Sequence, residues 1–488
     1  MVLKIHNTLT RRKEEFKPLQ AGKASFYYCG PTVYWTQHIG NLRGVFCADS
    51  IRRSLEYLGY NVKFVSNYTD VGHLTGDNEG DADLGEDKME KGAKREGKTP
   101  QEIAEKYIAV YERDIKDLNI LSPTVRCRAT DYIPEMIEMT RTLLEKGFAY
   151  ATDLAIYFDV SRAKNYTQLS GQKIEEQMAG GGKGVVEDKQ KKHSADFVLW
   201  FFKAGRHKNA LQFWQSPFQS ALVENGAGFP GWHIECSAMA KKHLGATIDL
   251  HMGGIEHIPI HHTNEIAQSE SANGVKYVNY WLHNEHLGFD GGKMSKSFGN
   301  VIVLDDVRRK GYAPLALRYL FLQTHYRSKQ NFTWEALRAA QKGLDNLYNR
   351  IGNLEKTAPN PPKADGQVGK ISEEYKQKFE EKISDDFNVP QGLVVAQELL
   401  KSDISDEDKL TTVLDFDKVL GLDLEKNSQA RRELKFDELP AEIQNLIKER
   451  EIARAEKNWQ KSDEIRDEIQ KHGYVVKDTD SGIQVFEK

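Results

Sequence analysis

Ser25 to Tyr28 is a short aromatic run bounded by glycine and proline, the pattern of a strand. Leu42, Val45, Phe46, Ile51, Leu55 and Leu58 then recur at helical spacing until Gly59 stops them, and Asn61 to Ser66 reads as the next strand. Strand, glycine-bearing turn, helix, strand is a βαβ unit with a right-handed crossover. Residues 1 to about 75 therefore read as the first half of a nucleotide fold. Asp77 to Gln101 is dense in charge and glycine, and the pattern predicts a mobile surface excursion there. Helical periodicity returns from Ile103 to Leu118 and from Ile133 to Leu144, Ala155 to Val160 reads as a strand, and Ser170 to Ser194 as a Gly- and Lys-rich loop. The stretch from about 120 to 230 is expected to be an insertion between two halves of one fold.

Gly231 to Cys236 opens a helix that Gly245 ends, followed by a strand from Thr247 to His251, a turn at Met252-Gly253-Gly254, a helix from His262 to Ser271 and a strand from Tyr277 to Leu282. From Ala313 the pattern is almost wholly helical, with Leu317, Leu320, Phe321, Leu337, Leu344 and Leu347 in phase and a Pro-rich loop from Pro359 to Gly369. Ile447 to Ile469 is expected to be one amphipathic helix. Ile452, Ala455, Trp459, Ile465 and Ile469 form its stripe toward a partner surface, with Arg450, Arg454, Lys457, Lys461 and Arg466 on the other faces. Val475 to Phe486 ends the chain in strand-like alternation.

Composition narrows this picture. The 488 residues predict two to four domains, and 39% hydrophobic content suffices for a sizeable core. A charged fraction of 29% and a mean hydropathy of -0.62 fit a soluble chain, and no apolar run approaches the roughly 18 residues of a membrane span. Met1 to Lys13 lacks the apolar core of a secretory signal, so the expected location is cytoplasmic. With a net charge of -4, any nucleic-acid surface must be a local patch. Four cysteines, at 29, 47, 127 and 236, are too scattered for a disulfide framework.

The turn after the first strand places His38, Gly40 and Asn41 at a helix N-terminus, where free N–H groups and the helix dipole favour phosphate. Neither a Gly-x-Gly-x-x-Gly fingerprint nor a P-loop occurs in this turn. Far downstream stands Lys293-Met294-Ser295-Lys296-Ser297. With His38-Ile39-Gly40-Asn41, it resembles the two signatures of class I aminoacyl-tRNA synthetases, His-Ile-Gly-His and Lys-Met-Ser-Lys-Ser.

A second constellation concerns metal. His261 and Glu265 are four apart and share a helix face, while Cys29 ends the first strand and Cys236 opens the matching segment of the second half. In a doubly wound fold these regions meet at the carboxyl ends of the strands, and two cysteines, one histidine and one glutamate suit zinc. Tyr28 to Tyr34, Gly231 to Met239, His261 to Ser269, the lysine loop, His325 to Ser328 and Asn331-Phe332 together resemble the cysteinyl-tRNA synthetase family, in order along nearly the whole chain.

That resemblance implies an α/β fold: a Rossmann-like parallel-sheet catalytic domain with an insertion, then a helical anticodon-side bundle and a small mixed C-terminal region. Its boundaries would be 1–120 and 231–300 for the two catalytic halves, 121–230 for the insertion, 301–340 for a stem-contact region, 341–425 for the bundle and 426–488 for the last domain. It implies one zinc ion on Cys29, Cys236, His261 and Glu265, with ATP and Mg²⁺ at His38, Gly40, Asn41, Glu256, Lys293 and Lys296. Trp232, Gly30 and Thr32 would meet the cysteine substrate. Cys47 and Cys127 would be core or half-exposed thiols, and His257 and His262 neighbours of the ligands or surface residues. The implied activity is ATP-dependent ligation of L-cysteine to tRNA(Cys) through a cysteinyl-adenylate, by a monomer with no membrane partner. His38, Asn41, Lys293 and Lys296 would act in catalysis.

Three positions depart from the family pattern: Asn41 for the second histidine, Glu256 for an aspartate near the ribose, and Tyr68 to His73 for a more acidic run. Two rivals remain, a ligase joining cysteine to an amino sugar and a catalytically inactive zinc-containing RNA-binding paralogue. The first lacks a C-terminal RNA-binding part, which residues 340 to 488 supply here; the second is supported by Asn41 alone.

Overall fold

The computed structural model describes all residues except 1, 73, 75–85, 173–187, 290–291, 294–300, 358–368, 429–432, 457, 480–481 and 488. Its chain contacts divide it into two units. The first comprises Met1–Lys342, Glu373–Leu399 and Phe416–Leu422; the second comprises Gly343–Ser372, Leu400–Asp415 and Asp423–Lys488.

The first unit is built on a five-stranded, all-parallel sheet. Its strands are β1 (Lys23–Tyr28), β2 (Asn61–Tyr68), β3 (Val125–Arg128), β4 (Ile248–Gly254) and β5 (Val278–Asn284), in the order β5-β4-β1-β2-β3. The first half of the chain supplies β1 to β3 and the second half supplies β4 and β5. Strand order therefore reverses between β1 and β4, where such folds bind ligands. Helix α1 (Ile39–Tyr57) links β1 to β2, and α2 (Lys88–Glu96) and α3 (Pro100–Asp117) precede β3. Helix α4 (Ile133–Glu145) follows β3, α5 (Trp232–Leu244) precedes β4, and α6 (His261–Asn273) joins β4 to β5. The strands β2, β4 and β5 are buried along most of their length, polar residues included.

Between α4 and α5 the chain forms a four-stranded antiparallel sheet of Ala149–Ala151, Ala155–Phe158, Phe197–Phe202 and Gly228–Pro230. Phe197 to Phe202 is buried throughout, and its side chains join one continuous core with β1, α4 and α5. The parallel sheet takes β3 from inside the stretch assigned to the insertion by pattern. Its sequence, Val-Arg-Cys-Arg, is too short and too polar to announce a sheet strand.

Other expectations need correction. Lys88 to Glu96 is a helix, not a loose excursion. Asp87 caps it by accepting from the N–H groups of Met89 and Glu90, and Gly97 ends it in the left-handed conformation. The glycines 253 and 254 belong to β4 rather than to a turn. Gly253 is needed because imidazoles pack against the strand, where a Cβ would lie 2.5 Å from His257 and 2.7 Å from His262, and at Gly254 a Cβ would meet the Glu256 carboxylate. The region after Ala313 is interrupted by the strand Gln330–Phe332, which pairs in parallel with Leu287–Phe289. Cys47 and Cys127 are both buried.

In the second unit, residues 433–487 form a small α+β module. Helices Ala441–Ala455 and Trp459–Lys471 pack beside an antiparallel sheet of Glu433–Leu434, Tyr474–Thr479 and Gly482–Glu487. Leu439, Ile443, Ile447, Ile465, Ile469, Val476 and Val485 share its core. The single amphipathic helix read over 447–469 is thus two helices. Asn458 starts the second by accepting from the N–H of Lys461. The stripe is also not continuous: Ile452 and Trp459 are exposed, at 59% and 58%, while Arg450 is buried. Lys457 lies outside the described residues.

Candidate metal centre and nucleotide site

Cys29 is the first residue past β1, and its N–H donates to the carbonyl of Met252 in β4 at 3.2 Å, directly at the strand-order reversal. Cys236 lies in the second turn of α5, His261 opens α6, and Glu265 is one turn further on. The structure brings these four together. All are buried, and their donor atoms lie within 4.8 Å of one another. The two sulfurs are 3.7 Å apart, Cys29 Sγ is 3.7 Å from Glu265 Oε1, and His261 Nε2 is 3.2 Å from the same oxygen.

These distances suit one tetrahedral ion. Two thiolates bound at about 2.3 Å stand about 3.8 Å apart, and nitrogen and oxygen bound at about 2.0 Å stand about 3.3 Å apart. The electrostatics agree. Burial pushes the Cys29 thiol well up, helped by Cys236 and Glu265. For Cys236 the hydrogen bond from Cys29 pulls down, but burial and the carboxylates of Glu265 and Glu235 outweigh it, and the net direction is up. His262 and His233 supply no compensating charge: burial and neighbouring rings push His262 well down, and burial drives His233 to about 3. Two thiols and a carboxylate in one buried space call for a cation.

The surroundings orient this set. His251 Nε2 faces the other oxygen of Glu265 at 3.0 Å. His233 Nδ1 faces His261 Nδ1 at 3.0 Å, leaving His261 Nε2 toward the cluster. His262, expected beside the ligands or at the surface, is fully buried. Its Nε2 is 3.5 Å from Cys29 Sγ and its Nδ1 is 2.7 Å from His283, which in turn meets Thr8 at 2.9 Å. Cys29, His251, His262 and Glu265 also fall within the same 4.8 Å. That second grouping shares Cys29 and Glu265 with the first but offers one thiol where the first offers two. The sequence alone does not single out His251 and His283, because each sits inside a buried strand, where histidine carries no periodic signal.

Trp232, at the start of α5, lies with its ring against His261, centroids 4.1 Å apart. The N–H of Gly30 donates to Asn67 Oδ1 at 2.9 Å. Gly30 passes so close to β2 that a Cβ would fall 1.6 Å from the Asn67 carbonyl oxygen. Thr32 bridges to Thr69 beyond the end of β2.

On the nucleotide side, His38 is the N-cap of α1 and its Nδ1 accepts from the N–H of Asn41 at 3.2 Å. The neutral ring therefore carries its proton on Nε2, as a donor. Gly40 is the second residue of α1. The Asn41 side chain donates to Gln37, a residue the sequence reading did not single out. Glu256 is exposed in a single turn after β4, with its carboxylate 3.6 Å from His286. Lys293 ends the short strand Gly292–Lys293, antiparallel to Gly288–Phe289, and Lys296 lies outside the described residues. Beyond the lysine stretch the chain is tied to the start of α1, where the N–H of Ile39 donates to Ile302 at 2.9 Å.

A parallel sheet whose order reverses between two halves, with a helix N-terminus and a thiol cluster at the reversal, is the arrangement of a class I tRNA synthetase. The family model described as the class I (C) tRNA synthetase catalytic domain matches residues 15–342, and the cysteinyl-tRNA ligase anticodon binding domain model matches residues 437–485. A cysteine–tRNA ligase of Treponema denticola is 43% identical, covering 98% of both chains. Cysteine–tRNA ligase 1 of Burkholderia lata is 42% identical over 100% of this chain and 97% of its own. The chain belongs to the cysteinyl-tRNA ligase family. Its fold is also that of Mycobacterium tuberculosis methionyl-tRNA synthetase in complex with methionyl-adenylate, with a TM-score of 0.54 over 83% of this chain and 91% of the other at 16% identity. Among the described residues, no helix is long and apolar enough to cross a membrane.

Proposed function

We propose that this protein ligates L-cysteine to tRNA(Cys) through a cysteinyl-adenylate, with ATP and Mg²⁺. The observation that carries the reading is the buried pair of thiols 3.7 Å apart, beside His261 and Glu265, at the strand-order reversal. Cys29, Cys236, His261 and Glu265 would hold one zinc ion. A zinc ion held there would supply Lewis-acid chemistry suited to the substrate sulfur as thiolate, a criterion that serine's hydroxyl cannot meet.

The rest is positioning by the chain's own groups. Trp232, Gly30 and Thr32 flank the cysteine. His38 Nε2–H and the first N–H groups of α1, at Gly40, meet ATP phosphate, and Glu256 reaches toward the ribose. The substrate carboxylate is already an anion and needs no general base. Its oxygen bonds to the α-phosphorus as the bond to the bridging oxygen breaks, and pyrophosphate leaves toward Lys293 and Lys296. The 2′-hydroxyl of the terminal adenosine then attacks the adenylate carbonyl and AMP departs. Residues 437–485 would meet the anticodon side of the tRNA. The enzyme would work as a cytoplasmic monomer.

The test is charging of total tRNA with labelled cysteine, with serine as control. ATP-dependent, cysteine-specific labelling that requires the 3′-terminal adenosine supports the reading. Cysteine-dependent pyrophosphate exchange without charging would point to another acceptor, such as an amino sugar.

A further inference from the structure

Gln37 is the side chain on which the loop between Cys29 and α1 closes. It is 8% exposed, and its Nε2 donates to the carbonyl of Thr32 at 3.1 Å and to that of Trp35 at 3.2 Å. Its Oε1 accepts from Asn41 Nδ2 at 2.7 Å. The identity of these atoms follows from what each can do. Carbonyl oxygens only accept, so the nitrogen of Gln37 must face Thr32 and Trp35. Its oxygen is then the atom facing Asn41, and only the amide nitrogen of Asn41 can donate to an oxygen. Asn41 is thus held twice, its backbone N–H by His38 and its side chain by Gln37.

These bonds make a closed circuit from Thr32 to Asn41. One end of it lies three residues past Cys29, on the cysteine side; the other is the first turn of α1, on the phosphate side. We propose that Asn41 acts through Gln37 as a positioning residue. The pair sets the cysteine-side loop against the phosphate end of α1, and Asn41 is not itself the phosphate contact. The inference rests on the adenylate-forming reading above. It explains how asparagine serves where a histidine is usual: the position needs a short neutral donor aimed at Gln37, not a positive charge. In-line attack tolerates little misplacement, so a loosened circuit should be felt where the carboxylate must meet the phosphorus.

The experiment is cysteine-dependent ATP–pyrophosphate exchange by the full-length protein, with Asn41→Ala, Gln37→Met and the double variant compared at varied cysteine and varied ATP. Asn41→Ala should raise KM for cysteine about tenfold, the worth of one lost hydrogen bond, Gln37→Met, which loses three, by at least as much, and both should leave KM for ATP within about twofold. The double variant should be no worse than the poorer single one, because both break the same circuit. Asn41→His, which returns a donor, should recover most of the loss. A rise in KM for ATP with cysteine unaffected would overturn the proposal, as would effects that multiply. Should Gln37→Met fail to fold, the exposed Asn41 carries the test alone, through the KM split and the histidine rescue. Absence of exchange in the unmodified protein would overturn the adenylate reading instead.

Discussion

Cys29 Sγ and Cys236 Sγ lie 3.7 Å apart although 207 positions separate them in the chain. That is far beyond the roughly 2.05 Å of a disulfide and close to the edge of a tetrahedron around one zinc ion. Cys236→Ser should therefore abolish bound zinc and cysteine-dependent pyrophosphate exchange together, with far-UV circular dichroism unchanged. Stoichiometric zinc in the purified variant would remove Cys236 from the ligand set.

Gly30 admits no side chain, because the Asn67 carbonyl occupies the space a Cβ would take. Gly30→Ala must push β1 away from β2 next to Cys29. We expect a loss of about 1–3 kcal/mol in urea unfolding. Activation should fall further than stability, since the displaced residue adjoins the zinc site. A variant with full exchange activity would show that the strands yield more easily than their pairing suggests.

Asp49 in α1 lies between two buried guanidinium groups, 2.8 Å from Arg318 and 2.9 Å from Arg53, and also accepts from the N–H of Leu121. Burial alone would raise its carboxyl, but Arg53 and Arg318 outweigh it and hold it below the usual range. Asp49→Asn keeps the shape and strands two buried cations. It should cost about 3–5 kcal/mol by chemical denaturation.

His207 is wedged against Phe201 and Phe229, with ring centroids at 4.8 and 5.2 Å. Burial, reinforced by Arg206, pushes it down to about 4. Below its ordinary value of 6.5 the unfolded chain takes up a proton that the folded one refuses. Stability should be level above pH 6.5 and fall as the pH drops from there toward 4. His207→Phe should flatten that part of the urea-midpoint profile; an unchanged slope would assign the loss to other groups.

The βαβ core was legible because it rests on strong local signals, an apolar run and a helical repeat, whereas the four clustered donors, each common by itself, were picked out together through the family resemblance. What was hidden depended on partners distant in sequence. Gly253 and Gly254 look like a turn until His257 and His262 are known to press against the first and Glu256 against the second. Periodicity from Ile447 to Ile469 runs unbroken across two helices, and only the cap at Asn458 marks the joint. Arg450 reads as a solvated charge, yet it is buried. The charge density of 88–96 masked a helix whose caps, Asp87 and Gly97, are visible once sought. Gln37 carried no motif at all, and its role lies wholly in three hydrogen bonds.

The sheet order has a consequence in time. One neighbour of β1, β2, follows almost at once; the other, β4, is made only after the insertion, and Cys29 and Glu265 are 236 positions apart. During synthesis the first ligand waits while most of the unit is still being added. An ion held by all four donors would therefore bind only once Glu265 has been made, when β1, β2 and β3 are already in the chain, and would not nucleate them. A chelator should accordingly empty this centre and leave the parallel sheet standing, in contrast to small zinc modules that unravel when stripped.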